Sequence, residues 1–216
     1  MVRPRLILSD DFSNADEGVF IEDEGTDSAK LSSGSTLECQ WQYAYSGGAL
    51  VARVTGAYPK AERKAWCGSS ANTDDTVDEL PSRLAVEVRA KATKSSGAAY
   101  YGIRIDSWDG KTSYEFVVSP ADGTYGISHY AGTWSWIANA KSSAIKKGSA
   151  ENLLRLEIRD STLVALVNGQ EVSRLRRTDL PLDVGSAALE FMLGGQPADK
   201  SVEVRFTDLK VYSPEP

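Results

Sequence analysis

The sequence predicts an all-β domain, a sandwich of two packed antiparallel sheets. Apolar and polar residues alternate with period two, helical periodicity is nearly absent, and two-residue turn signals recur between the alternating runs. Leu84, Val86 and Val88 share one face of their segment, while Glu87 and Arg89 share the other. Leu154, Leu156 and Ile158 alternate in the same way with Arg155, Glu157 and Arg159. Val202, Val204 and Phe206 alternate with Glu203 and Arg205. Each run reads as a strand with one face in the core and one in water. After Phe206 the apolar parity resumes at Leu209 and Val211, one step out of phase. An extra residue near Thr207-Asp208, a β-bulge, would return both halves to the core.

Asp109-Gly110, Asp122-Gly123 and Asn168-Gly169 mark the tight turns. Asn-Gly is the strongest signal, because both central positions of a type I′ turn need positive φ. The two Asp-Gly pairs imply a meander from about Ala98 to Ile137. Roughly a dozen strands are expected, more than one sheet carries without splitting in two. Only Tyr58 to Trp66 offers a helical turn; Ser32–Ser35 and Ser69–Asp78 read as loops. No repeat and no composition shift divides the chain, so residues 1–216 are expected to form one domain.

Composition removes several classes of function. The formal charge of −6 opposes a nonspecific nucleic-acid binder, which needs a basic face to displace counterions. No run approaches the roughly 18 apolar residues of a membrane helix, so no membrane insertion is expected. Three apolar residues, Leu6-Ile-Leu8, are too few for a signal-peptide core. The expectation is therefore a cytoplasmic protein if the chain is complete, or an extracellular or cell-surface domain if it is cut from a longer one. The tail Ser213-Pro-Glu-Pro216 resembles the first residues of a linker. Cys39 and Cys67 are the only cysteines, too few for a Cys-rich metal module. They are either two buried thiols or a disulfide, which would close roughly 28 residues and contribute about 3 kcal/mol.

Several segments in order resemble bacterial concanavalin A-like modules, including laminin G-like domains and relatives of 3-keto-disaccharide hydrolases. They are Asp10-Asp-Phe-Ser13, Tyr114 to Ile127, Gly132-Thr-Trp134, Asn152 to Ile158, Leu163 to Gly169 and Val204 to Tyr212. The resemblance leaves out about residues 14–47 and 57–80. It implies a jelly roll whose sheet face or loop rim often binds carbohydrate.

Catalytic patterns are not evident. Glycoside hydrolysis needs two carboxyl groups flanking the bond, one protonated and one ionised. Catalytic members of the wider group often carry acids at alternate positions of one strand. Here those positions read Glu87/Arg89, Glu157/Arg159 and Glu203/Arg205, and an Arg beside each Glu favours the ionised form. Cross-strand ion pairs on a solvated face are the simpler reading. His129, the only histidine, shares parity with Tyr125 and Ile127 and is expected to be structural. No nucleophile elbow, phosphate loop or zinc-protease motif occurs. The expectation is a protein that is not an enzyme and holds no cofactor. The acidic run from Asp10 to Asp27 contains no base. A structural calcium, if one is held, would fall to Asp11 and Asp208, because the first and last strands often meet in this fold.

The aromatic residues point to a surface. With Tyr101, Ile103 and Ile105 turned inward, Tyr100, Arg104, Asp106 and Trp108 share the opposite face. Tyr114, Phe116 and Val118 inward leave Glu115 outward; Tyr125 and Ile127 inward leave Ser128 and Tyr130 outward, with Trp134 and Trp136 beside them. The expected ligand site is Tyr100, Arg104, Asp106, Trp108, Glu115, Tyr130 and Trp134. Rings interspersed with charges and hydroxyls suit sugars, and an exposed patch of this kind marks an interaction surface. The expected function is a non-catalytic, carbohydrate-binding module; the alternative is a structural or protein-interaction domain of a larger surface protein or assembly.

Overall fold

The computed structural model describes residues 4–30, 36–57, 67–72, 80–81, 83–94, 99–107, 109–180, 182, 189–195 and 201–213. They form a sandwich of two antiparallel sheets, with a single 3-10 turn at Ala15–Glu17. The chain has the concanavalin A-like jelly-roll architecture that the alternation and the ordered segments predict.

Nine strands make the larger sheet: β1 (Arg5–Asp10), β2 (Asp23–Lys30), β3 (Thr36–Tyr45), β4 (Leu50–Ala57), β6 (Leu84–Lys94), β11 (Asn152–Arg159), β12 (Thr162–Val167), β13 (Gln170–Arg176) and β15 (Ser201–Ser213). The smaller sheet runs in the order β10 (Trp134–Lys141), β9 (Thr124–Tyr130), β8 (Ser113–Ser119), β7 (Ala99–Asp106), β14 (Leu189–Gly195), β5 (Cys67–Asn72). The meander from Ala99 to Lys141 is therefore four consecutive neighbours, as its turns predict. Fifteen strands are described rather than a dozen. Much of the excess lies where the sequence has weak alternation. β5 reads Cys-Gly-Ser-Ser-Ala-Asn and falls in a stretch expected to begin a loop; it is set by backbone pairing to β14, not by an apolar face. Residues 58–66, the expected helical turn, and 32–35 lie outside the described residues.

The two sheets meet in a core built from the predicted parities. Leu84, Val86 and Val88 on one sheet, and Tyr101, Ile103, Ile105, Tyr114, Phe116 and Val118 on the other, are essentially inaccessible. Phe191 of β14 stacks on Phe206 of β15 at 4.6 Å and on Phe20 at 4.4 Å, so one column of rings bridges the sheets. Asn168 and Gly169 both have positive φ (51° and 79°), the geometry their hairpin turn demands. The expected bulge is present: the β15–β6 register shifts between Thr207 and Lys210, and Asp208 has φ 54°. It keeps Phe206, Leu209 and Val211 all buried.

On the outer side of the larger sheet the Glu-x-Arg strands form ion pairs. Arg155 reaches Glu157 at 2.6 Å and Glu87 at 3.3 Å, and Arg159 reaches Glu157 at 2.7 Å. Glu203 accepts from Arg53 at 2.8 Å and from the Thr93 hydroxyl at 2.6 Å. Cys39 is joined in a disulfide, and the chain's other cysteine is Cys67.

Two predictions follow from this packing. Phe191→Ala removes the middle ring of the column and should cost about 3–5 kcal/mol in a denaturant titration. Burial raises the Glu203 carboxyl, but Thr93, Arg53 and Lys94 outweigh it and bring it to about 2, against 4.5 for the free side chain. A depressed folded-state value stabilises above 4.5 and loses that contribution as pH falls toward 2. Glu203→Gln should therefore lower stability by about 2 kcal/mol at neutral pH and by nothing near the acid limit, read from unfolding free energy against pH.

Candidate functional site

The outer face of the six-stranded sheet is the obligate counterpart of its buried one. Because Tyr101, Ile103 and Ile105 face the core, β7 turns Tyr100, Arg104 and Asp106 outward. The register then sets their neighbours: Glu190 on β14, Arg104 on β7, Glu115 on β8 and Ser128 on β9 stand in one row. The next row along runs from Asp106 through Ser113 to Tyr130.

Arg104 is the centre of this arrangement. Its Nε donates to Asp106 at 2.8 Å, its second nitrogen lies 3.1 Å from Glu190, and its guanidinium stacks over Trp134 at 5.2 Å. Tyr130 also packs on Trp134, with ring centroids 5.3 Å apart. Glu115 is differently placed. It accepts from the Ser128 hydroxyl at 2.6 Å and forms no ion pair among the described residues. Burial lifts its carboxyl above the ordinary range, Ser128 and Arg104 pull the other way, and the Asp106 charge adds to the rise. Tyr100 is half-buried beside it and pushed up to about 12 by desolvation and by the Glu115 charge. Three carboxyl groups from three adjacent strands thus surround one arginine.

From Glu115 a groove of about 480 Å³ runs toward the β8–β9 turn. Tyr100, Glu115, Asp122, Tyr125, Trp136 and Asn139 supply most of its polar and aromatic lining. A register shift between Trp136 and Ala138 puts an extra residue into β10, which lets Trp136 and Asn139 both serve the groove. Trp136 lies over Gly126, where a Cβ would come within 2.4 Å of the indole, yet 61% of the residue stays exposed.

Of the expected ligand residues, Tyr100, Arg104, Asp106, Glu115, Tyr130 and Trp134 do share this face, while Trp108 lies outside the described residues. Asp106 is almost fully buried rather than displayed. Tyr125, expected inward, is half-buried, packing on the core and also bordering the groove. Glu190 escaped notice. Leu189 and Phe191 on either side of it carry the signal for an outward position, but β14 is far from β7 in the sequence. His129 is buried as expected, its ring 4.7 Å from Tyr114, with Nε2 2.7 Å from Asp179 and Nδ1 3.2 Å from Arg177. Asp11 and Asp208 border one hollow beside the β1–β15 pairing, so the first and last strands do meet. Asp208, however, is neutralised by Lys210 at 2.6 Å and Arg89 at 3.3 Å. Among the described residues no group of three or more metal-ligating side chains forms.

Solved structures supply the comparison. Bacillus licheniformis β-glucanase superimposes with a TM-score of 0.64, covering 98% of this chain and 99% of that one at 13% identity. The laminarinase catalytic domain of Thermotoga maritima gives 0.62, with 99% of both chains covered at 12% identity. A structure described with endo-acting O-glycanases of the human gut microbiota gives 0.62, covering 98% of this chain and all of that one at 11%. No family model matches the chain, and no curated protein sequence matches it. At these identities the likeness establishes the fold, a concanavalin A-like jelly roll. The expectation of a non-catalytic module, not an enzyme, is corrected here. The neighbours that span the whole chain are described as hydrolases, and the face expected only to bind carries three clustered carboxyl groups. Asp106, Glu115 and Glu190 converge from β7, β8 and β14, one to a strand, so no single strand displays them in sequence.

Removing the Ser128 hydroxyl takes away a donor that favours the charged form of Glu115. In Ser128→Ala the Glu115 carboxyl should titrate higher still, followed by NMR; an unchanged titration would show that the hydrogen bond carries no weight.

Proposed function

We propose that this chain is a glycoside hydrolase acting on a glycan laid along the outer face of the six-stranded sheet. The observation that carries the reading is the contrast between Glu115, raised by burial and free of an ion pair, and Asp106, bound to Arg104. Carboxyl groups in contrasting environments are what acid-assisted glycoside cleavage requires. Glu115 donates its proton to the leaving glycosidic oxygen. Asp106 faces the positive charge that develops at the anomeric carbon, and water supplies the hydroxyl that ends there, its other proton returning to the Glu115 carboxylate. The two residues are diagonal neighbours across β7 and β8, which sets their Cβ atoms roughly 7 Å apart. Arg104 holds Asp106 and Glu190 in place, and Trp136 offers an exposed ring against which an apolar sugar face can lie.

Strand β8 carries only one outward acid, because Val117 and Ser119 follow Glu115 at the alternate positions. The second carboxyl therefore comes from the neighbouring strand. The named activities of the structural neighbours, β-glucanase, laminarinase and O-glycanase, support a carbohydrate substrate without choosing one.

Reducing-end release from a panel of soluble polysaccharides tests the reading. At least one should be cleaved, with Glu115→Gln and Asp106→Asn each slowing turnover about 10²–10⁴-fold while the fold is retained. Activity that survives Glu115→Gln unchanged would end the assignment.

A further inference from the structure

The groove has a chemical bias beyond its aromatic lining. Among the described residues its charged side chains are two acids, Glu115 at one end and Asp122 at the other, with Tyr100, Tyr125 and Trp136 between. Arg104 does not border it and is already engaged by Asp106 and Glu190. Asp122 is exposed on the β8–β9 turn and forms no ion pair among the described residues. The Ser119 hydroxyl donates to its Oδ2 at 3.1 Å, which fixes the carboxylate and leaves Oδ1 open. Two lysines stand nearby without joining the lining: Lys141 pairs with Thr124 across β10 and β9, and Lys147 passes Gly123 with its Nζ 3.8 Å from where a Cβ would stand.

We propose that the groove selects a glycan bearing free amino sugars, with an ammonium group pairing with Asp122 while a neighbouring ring lies on Trp136. The proposal rests on reading the groove as a glycan site, and not on hydrolysis. An anionic glycan would meet the Asp122 carboxylate, which has no ion-pair partner among the described residues, whereas an ammonium gains a partner there. The two ends are set apart along the strand: Glu115 and Ser119 are four residues apart on β8, which spans about 13 Å.

Calorimetric titration of the full chain carrying Glu115→Gln tests the idea, since turnover then cannot consume the probe. Fully deacetylated chitosan hexamer is compared with its N-acetylated counterpart at a pH where the amines are protonated. The deacetylated hexamer should bind more tightly, and the advantage should shrink as salt rises. Adding Asp122→Asn should weaken its binding about two- to fivefold, with an unchanged melting temperature and little effect on the acetylated oligomer. Equal or better binding of the acetylated hexamer, a preference that survives Asp122→Asn, or failure of both to bind would each overturn the proposal. Cleavage of neutral glycans without any preference for the amine would overturn this inference alone. A preference for the amine without cleavage of any glycan would overturn the hydrolase reading alone.

Discussion

A strand has two faces, and every residue committed to one fixes the side on which its neighbours stand. That constraint organises this protein. Burying Tyr101, Ile103 and Ile105 leaves Tyr100, Arg104 and Asp106 no alternative to the outer face. Burying Leu189 and Phe191 does the same to Glu190. The site is the reverse side of the core, and the core's tight packing is what holds its side chains in register.

The outer face then poses an electrostatic problem that the sequence solves with one residue. Three carboxyl groups on adjacent strands would repel one another in a partly desolvated setting. Arg104 neutralises two of them through a donor fork whose plane also stacks on Trp134. A lysine has neither the fork nor the plane. Glu115 stays outside these ion pairs, and burial lifts its carboxyl although Ser128 and Arg104 pull the other way.

Much of this was legible in the alternation. The parities of β6, β7, β8, β11 and β15, the bulge at Asp208 and the positive-φ turn at Asn168-Gly169 all follow from residue order. The limits of that legibility are equally specific. β5 carries no apolar stripe, and its pairing is made by backbone groups that every residue possesses. β14 enters between β5 and β7, so Glu190 meets Arg104 across a separation that local pattern cannot encode. The Glu-x-Arg motifs were correctly read as ion pairs, but they lie on the larger sheet, away from the groove. The clustered carboxyl groups of the smaller sheet sit one to a strand, where no linear motif announces them.

The placement of β15 carries a kinetic consequence. One flank of this strand is taken by β4 up to Phe206 and by β1 from Leu209 onward, while β6 occupies the other flank. All three partners precede it in the chain, so during synthesis they emerge with unpaired edges and wait for a strand made later. β4 gains its local hairpin partner β3 on the other edge, but the edges that await β15 close only by slow long-range antiparallel pairing. The nascent chain is thus most vulnerable to misassociation in the seconds to tens of seconds before its last described strand arrives. Its arrival closes the larger sheet and slots Phe206 against Phe191 in a single event.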